Sequence, residues 1–160
     1  MLSAERAREL LDYNPETGKL TWKQGVAKNV KSGGEAGGVN NRGYRRITIA
    51  EGQYLSHRLA WLITTGVFPT DDIDHMNGDP GDNRMCNLRV ATKSQNLQNQ
   101  HKANTRSSTG LLGAFKVRGK YRSQIRICGK DIYLGLFNTA QEAHEAYLIK
   151  KREVHAFCMI

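Results

Sequence analysis

The sequence predicts an α+β chain of two small domains joined by a polar stretch. Three observations predict it. Alternating runs typical of strands stand among short, separately capped runs typical of helices, with no single long periodicity. Residues 102–109 are polar and break both patterns. Beyond them the chain changes to three strand-like runs followed by one helix. A length of 160 residues allows one ordinary domain or two small ones with limited cores.

In chain order, Ser3 can cap a helix running to about Leu11, with Leu10 and Leu11 inward. Asn14 to Gly18 has turn composition, and Lys19 to Lys23 alternates as a strand does. Residues 24–43, rich in Gly, Lys and Asn, read as a long mobile loop. Tyr44 to Ala50 alternates again, with Gln53 to Leu55 as its hairpin partner. His57 to Thr65 reads as a buried helix stopped by Gly66 and Pro69. Asp72 to His75 leads into a loop over 77–83 rich in Gly, Asp, Asn and Pro. A strand over Leu88 to Ala91 and a short helix from Ser94 to about His101 follow.

Past the polar stretch, Ala114–Val117, Tyr121–Ile127 and Ile132–Phe137 read as strands joined by two Gly-containing turns. Thr139-x-x-Glu142 is a capping box opening a helix to about Phe157, with Ala143, Ala146, Tyr147 and Val154 on its inner face. The expected layout is a mixed region over 1–53, a motif-bearing block over 54–101, a linker over 102–109 and a separate domain over 110–160.

Charge points to the partner. The chain carries a net +9, and no acidic residue lies between Asp82 and Asp131. A solvated face normally interleaves both signs, so an acid-free stretch holding Arg84, Arg89, Lys116, Arg118, Lys120 and Arg126 favours a polyanion. Cys86, Cys128 and Cys158 form no C-x-x-C pair, which argues against a disulfide framework or a zinc ribbon. No apolar run approaches the ~18 residues a membrane span requires, and the start lacks a secretory apolar segment. A reduced, cytoplasmic location is the expectation.

The residues that carry chemistry cluster in Ile73-Asp74-His75-Met76-Asn77-Gly78-Asp79, then Asp82-Asn83-Arg84, then Asn87-Leu88-Arg89, then Asn96 and Asn99. Phosphodiester hydrolysis needs a base for water and a cation for the phosphate and the departing oxygen. A His at a strand end can be the base, and Asp or Asn oxygens suit Mg²⁺ or Mn²⁺ better than Zn²⁺. Asp74 and His75 are adjacent, so in a strand they point to opposite faces unless twist at its end brings them to one cavity. Asn96 and Asn99 are three apart, on one side of a helix. Asp, Asn and Gly also make ordinary turns, so each taken singly is a structural residue; their joint order is harder to dismiss. A calcium loop does not fit, because the required Gly and Glu fall at wrong offsets.

Residues 54–100 resemble the HNH endonucleases of phage and mobile-intron type, in the branch reading HRLAW…IDHxNGDxxDNRxxNLRxATxxxNxxN. The resemblance implies a ββα-metal core around one divalent ion, Mg²⁺ or Mn²⁺. It implies His75 as general base, Asp74 as metal ligand, and Asn87 as the residue that stabilises the loop and orients His75. The helical ligand falls on Asn96, with Asn99 as the second choice. His57 starts an apolar helix well before this motif, so packing or a phosphate contact is expected of it. His101, His144 and His155 read as non-catalytic.

Residues 110–157 resemble the DNA-binding domain of plant ethylene-response factors, the APETALA type, through Gly113-Ala114-Phe115, Gly119 to Ile125, Gly129-Lys130, Ile132 to Phe137 and Glu142-Ala143-x-x-Ala146-Tyr147. This implies a three-stranded antiparallel sheet laid in the major groove and backed by a helix. Alternation by itself places Arg122, Gln124 and Arg126 on one strand face, able to donate to guanine and adenine edges. Lys116, Arg118 and Lys120 are expected on phosphates.

The reading is a double-strand-DNA endonuclease that nicks, acting as a monomer rather than a homodimer, with no membrane partner. The alternative is a non-catalytic DNA-binding regulator, which would need neither Asp74 nor His75. An RNA-binding sheet would want paired aromatics on its face.

Overall fold

Ser3 accepts a hydrogen bond from the Arg6 amide with its side chain, and from that cap helix α1 runs over Ala4–Leu10. In this computed structural model residues 2–25, 31–127 and 129–158 are described. The chain divides into two compact units, 1–96 and 97–160. No helix of the described residues is long and apolar enough to cross a membrane.

In the first unit α1 stops one residue short of expectation. Leu11 turns to extended backbone and opens strand β1 (Leu11–Tyr13), which pairs antiparallel with β2 (Leu20–Trp22). Leu11 is 1% exposed, so the strand buries a side chain that one more helical residue would have aimed elsewhere. Of the loop expected over 24–43, residues 26–30 lie outside the described residues; further on, β3 (Gly38–Val39) pairs with β4 (Arg45–Ile49). β4 pairs in turn with β5 (Gly52–Leu55), giving the order β3-β4-β5. Helix α2 (Ser56–Thr65) buries Leu59, Ala60 and Leu62 and ends on Gly66 in the left-handed conformation. Then come β6 (Asp72–His75) and β7 (Leu88–Ala91), an antiparallel pair, with a 3₁₀ turn over Met85–Asn87 leading into β7. The short helix α3 (Lys93–Gln98) closes the series.

One core serves all of this. It runs from Leu2 through Leu20, Ile47 and Leu59 to Leu88, so residues 1–53 and the motif block share their apolar centre. A motif of ~45 residues buries too little surface to stand alone, and the N-terminal strands and α1 supply the missing apolar partners. Leu59 is fully buried, and its truncation to Ala costs about 2–5 kcal/mol.

In the second unit β8 (Ala114–Val117), β9 (Lys120–Ile127) and β10 (Lys130–Phe137) form an antiparallel sheet with β9 central. Arg118 and Gly119 both have positive φ, which matches the twist of a two-residue hairpin between β8 and β9. Helix α4 (Ala140–Val154) opens on the Thr139/Glu142 capping box and covers the inner sheet face, where Ala114, Ser123 and Ile125 are buried. Gly113 has φ +71, and a Cβ there would fall 2.1 Å from the Tyr147 ring, so only glycine lets that ring close on the sheet. Within α4, Ala143 is buried as expected; Lys151, absent from the expected inner face, is buried too. The Lys151 stem packs inside while Nζ donates to the Gln100 carbonyl at 2.6 Å and lies 5.6 Å from the Tyr147 ring centre. Burial pushes the Lys151 ammonium below its ordinary value.

Candidate functional site

The site is built on the β6–β7 pair and the loop between them. The register sets Asp74 opposite Arg89 and His75 opposite Leu88. Asp74, His75, Asn83 and Asn87 are each 4–5% exposed. Buried polar side chains must find partners, and the pairing here is specific.

Asp74 and His75 have different company. Arg89 contacts Asp74 Oδ2 with both Nε and Nη2, each at 2.8 Å. That answers a buried carboxylate with a planar, two-pronged cation. The His75 ring lies instead among Asn83, His57 and Tyr44. His75 Nε2 is 3.1 Å from Asn83 Oδ1. The Asn83 amide is oriented by its Nδ2, which donates to the Gly81 carbonyl at 3.2 Å. Oδ1 is therefore the atom facing the ring, and His75 donates from Nε2–H. In the neutral ring the lone pair is then on Nδ1. Burial lowers the His75 pKa, opposed by the Asn83 bond and the charges of Asp74, Asp79 and Asp82. Burial thus favours the neutral form of the ring.

The bonds made by Asn87 run to the loop after His75. Its Oδ1 accepts from the Asn77 amide at 2.9 Å, and its Nδ2 donates to Asn77 Oδ1 and to the Asp82 carbonyl. Its own carbonyl accepts from the Met76 amide. Asn77, Asp79 and Asp82 knit the rest of the loop, and Arg84 grips Asp82 with Nε at 2.8 Å and Nη2 at 2.6 Å. Asn87 therefore holds the loop, and the imidazole itself meets Asn83, a residue without an assigned role in the motif.

Asn83 is fixed from behind by the N-terminal strands. Tyr13 Oη donates to the Asn83 carbonyl at 2.8 Å, and burial holds that phenol up at about 12. Gly18 has φ +73, and a Cβ on it would fall 2.5 Å from the Arg84 nitrogen and 2.6 Å from the Asn83 carbonyl carbon. The turn between β1 and β2 thus presses on the residue that holds His75, and only glycine permits the approach.

Two further rings complete the surroundings. His57, the second residue of α2, packs at 5.0 Å and 87° on His75, and Tyr44 lies 5.6 Å from His57 and 6.0 Å from His75. Edge-to-face packing of this kind fixes ring orientation. Burial, aided by the nearby His75 and Arg58, pushes His57 down to about 3, so it stays neutral. Of the two expectations for His57, packing is what the geometry displays.

Asn96 lies in the first unit on α3, which Thr92 and Gln95 cap reciprocally: Thr92 N donates to Gln95 Oε1 at 2.8 Å and Gln95 N to Thr92 Oγ1 at 3.3 Å. The Asn96 side chain is half-buried and makes no hydrogen bond among the described residues. Asn99 does not share that helix face, because α3 ends at Gln98; it is buried in the second unit, where His101 Nε2 lies 3.3 Å from its Oδ1. Among the described residues no three His, Cys, Asp or Glu side chains gather into a cage for an ion. The ligands expected from the sequence, the Asp74 carboxylate and the Asn96 amide, lie on β6 and on α3. Those are hard oxygens, suited to a cation that keeps waters and takes phosphate oxygens as well.

In the second unit Arg122, Gln124 and Arg126 share the outward face of β9, as Ser123 and Ile125 are buried beneath. Arg122 lies over the Phe115 ring at 5.7 Å, and Arg126 is held by Asp131 at 3.0 and 3.2 Å. Lys120 shares this face opposite Val117; Lys116 pairs with Tyr121 on the other parity but is exposed, and Arg118 sits at the hairpin turn. His144 Nδ1 meets the Leu112 carbonyl at 2.8 Å and His155 Nε2 the Arg126 carbonyl at 3.2 Å, both structural contacts.

Comparison with known proteins bears on the first unit. Neither the curated proteins nor the solved structures contain a match to the chain. A family model described as HNH endonuclease matches residues 54–98, the stretch from β5 to the end of α3 that carries Asp74, His75, Asn83 and Asn87.

Proposed function

We propose that the chain is a metal-dependent endonuclease that nicks double-stranded DNA, with the second unit as its DNA-binding domain. One observation carries the reading: a buried imidazole whose Nε2 is held by Asn83, inside the stretch that matches a family of nucleases. His75 takes the proton from water as the water oxygen bonds to phosphorus, and the bond from phosphorus to the 3′-oxygen breaks. Asp74 and Asn96 are the residues that would hold the ion, one Mg²⁺ or Mn²⁺. Bound there, the ion supplies charge neutralisation at the phosphate and at the departing oxygen. Arg89 keeps the Asp74 carboxylate in place. Asn87 keeps the loop closed, so that Asn83 and His75 stay in register.

The sheet of the second unit supports the binding half of the reading. It presents Arg122 and Gln124 outward, with Lys116, Arg118 and Lys120 around them for phosphates. One Asp74–His75 pair attacks one phosphate at a time, so a monomer nicks. The test is supercoiled plasmid incubated with the full chain over a range of protein concentrations, with Mg²⁺ and with EDTA. Open-circle product, first order in protein and absent in EDTA, is the expected result. Linear product appearing first with a second-order dependence contradicts the monomer, and cutting in EDTA contradicts the metal.

A further inference from the structure

The outward face of the β8–β9–β10 sheet is not simply cationic. Its register sets Phe115 and Leu136 on either side of Arg122, and Tyr133 beside Gln124. Phe115 is 42% exposed, Leu136 49% and Tyr133 61%, with Val117 at 36% further along the same face. Apolar side chains left in water side by side mark a contact surface rather than a solvated one. Among the described residues the only acid on this face is Asp131, engaged by Arg126, so the charge around the patch is mainly positive. That combination suits a polyanion carrying apolar groups at fixed places.

Of the four bases only thymine puts an apolar group into the major groove, its C5 methyl. Cross-strand neighbours sit about 4.5–5.5 Å apart, and successive bases on one strand about 3.4 Å apart. A base that accepts from Arg122 therefore has Phe115 and Leu136 over the steps next to it. We infer that this face recognises thymine methyl groups in duplex DNA, Phe115 and Leu136 reading those beside the base held by Arg122. Tyr133 does the same beside Gln124. The inference rests on the second unit being a duplex-DNA reader, and it adds a base to what that reader selects.

The test uses the full chain with metal chelated, so that binding is measured apart from cleavage. A tightly bound duplex is selected from a random pool and remade with deoxyuridine for thymidine, which pairs identically and removes only the methyl. Affinity should fall about three- to five-fold for each contacted methyl. Phe115→Ala and Leu136→Ala should weaken the thymine duplex and make the protein indifferent to the exchange. Equal affinity of the wild type for the two duplexes overturns the inference, as does tighter binding to single-stranded RNA. An equal loss in Phe115→Ala on both duplexes also overturns it, since the ring then serves the domain and not the base. If no duplex is bound above random DNA and Arg122→Ala changes nothing, it is the DNA-reading assignment itself that fails.

Discussion

His75 and Arg122 stand in opposite surroundings. His75 is walled in by Asn83, His57 and Tyr44, whereas Arg122 lies on the exposed face of β9 with Phe115 and Leu136 beside it. The contrast fits the roles proposed for the two residues. A base has to meet one water at one angle, and burial with a fixed hydrogen bond removes its freedom before the reaction begins. A side chain that reads sequence has to reach a groove, and exposure leaves it long and adjustable. Substitutions in the first unit should therefore change rate at constant binding, and those in the second should change binding at constant rate.

The proposed metal ligands should fall on the rate side of that division. Asp74→Ala should lower cleavage by roughly 10²-fold or more at saturating DNA. Asn96→Ala should raise the Mg²⁺ concentration needed for half-maximal cutting, and Asn99→Ala should do less. A titration of cleavage against Mg²⁺ checks this, and greater damage from Asn99→Ala misplaces the helical ligand.

His57 separates packing from chemistry. His57→Ala should lower kcat about ten-fold with KM unchanged, since a loosened imidazole is a misplaced one. His57→Phe should recover most of the loss, because only the ring is needed. A phosphate contact would make Phe as harmful as Ala and would raise KM. The same residue gives a pH dependence of stability. Its folded pKa of about 3 lies below the ordinary 6.5, so the unfolded chain binds the proton first as pH falls. Stability is retained above 6.5 and lost as pH drops from there toward 3, by up to about 1.4 kcal/mol per pH unit. Trp22 and Trp61 both lie in the first unit, so tryptophan fluorescence follows its unfolding directly, and His57→Phe should flatten the slope.

On the open face the effects shrink. Arg122→Ala should cost about 1–3 kcal/mol on a preferred duplex and much less on random DNA. Arg126→Ala should cost less, because Asp131 competes for its guanidinium. Lys116→Ala should weaken every sequence alike and lower the salt slope by about 1. Competition titrations with specific and random duplexes at two salt concentrations measure all three.

Much of this was legible in the residues. The Thr139/Glu142 box, the alternation along β9 and the span of α2 follow from local rules that tertiary context leaves intact. The partners of His75 were not legible. Asn83 sits eight residues on in a loop of interchangeable turn-formers, and nothing in its spacing separates it from Asn77 or Asp79. His57 reaches the site from α2 and Tyr44 from the residue before β4, and chain closure, not periodicity, brings them there. Leu11 and Lys151 show the same limit: one leaves a helix to pair a strand, the other is a charged residue buried by a carbonyl 51 positions away.

The most direct measurement is His75→Ala in the full chain, with cleavage and binding followed on one duplex. Nicking should fall by about 10²–10⁴-fold while the dissociation constant in EDTA stays within two-fold of wild type, on the order of the loss when a general base is removed. A variant that nicks at the wild-type rate, or one that stops cutting because it no longer holds DNA, contradicts the account.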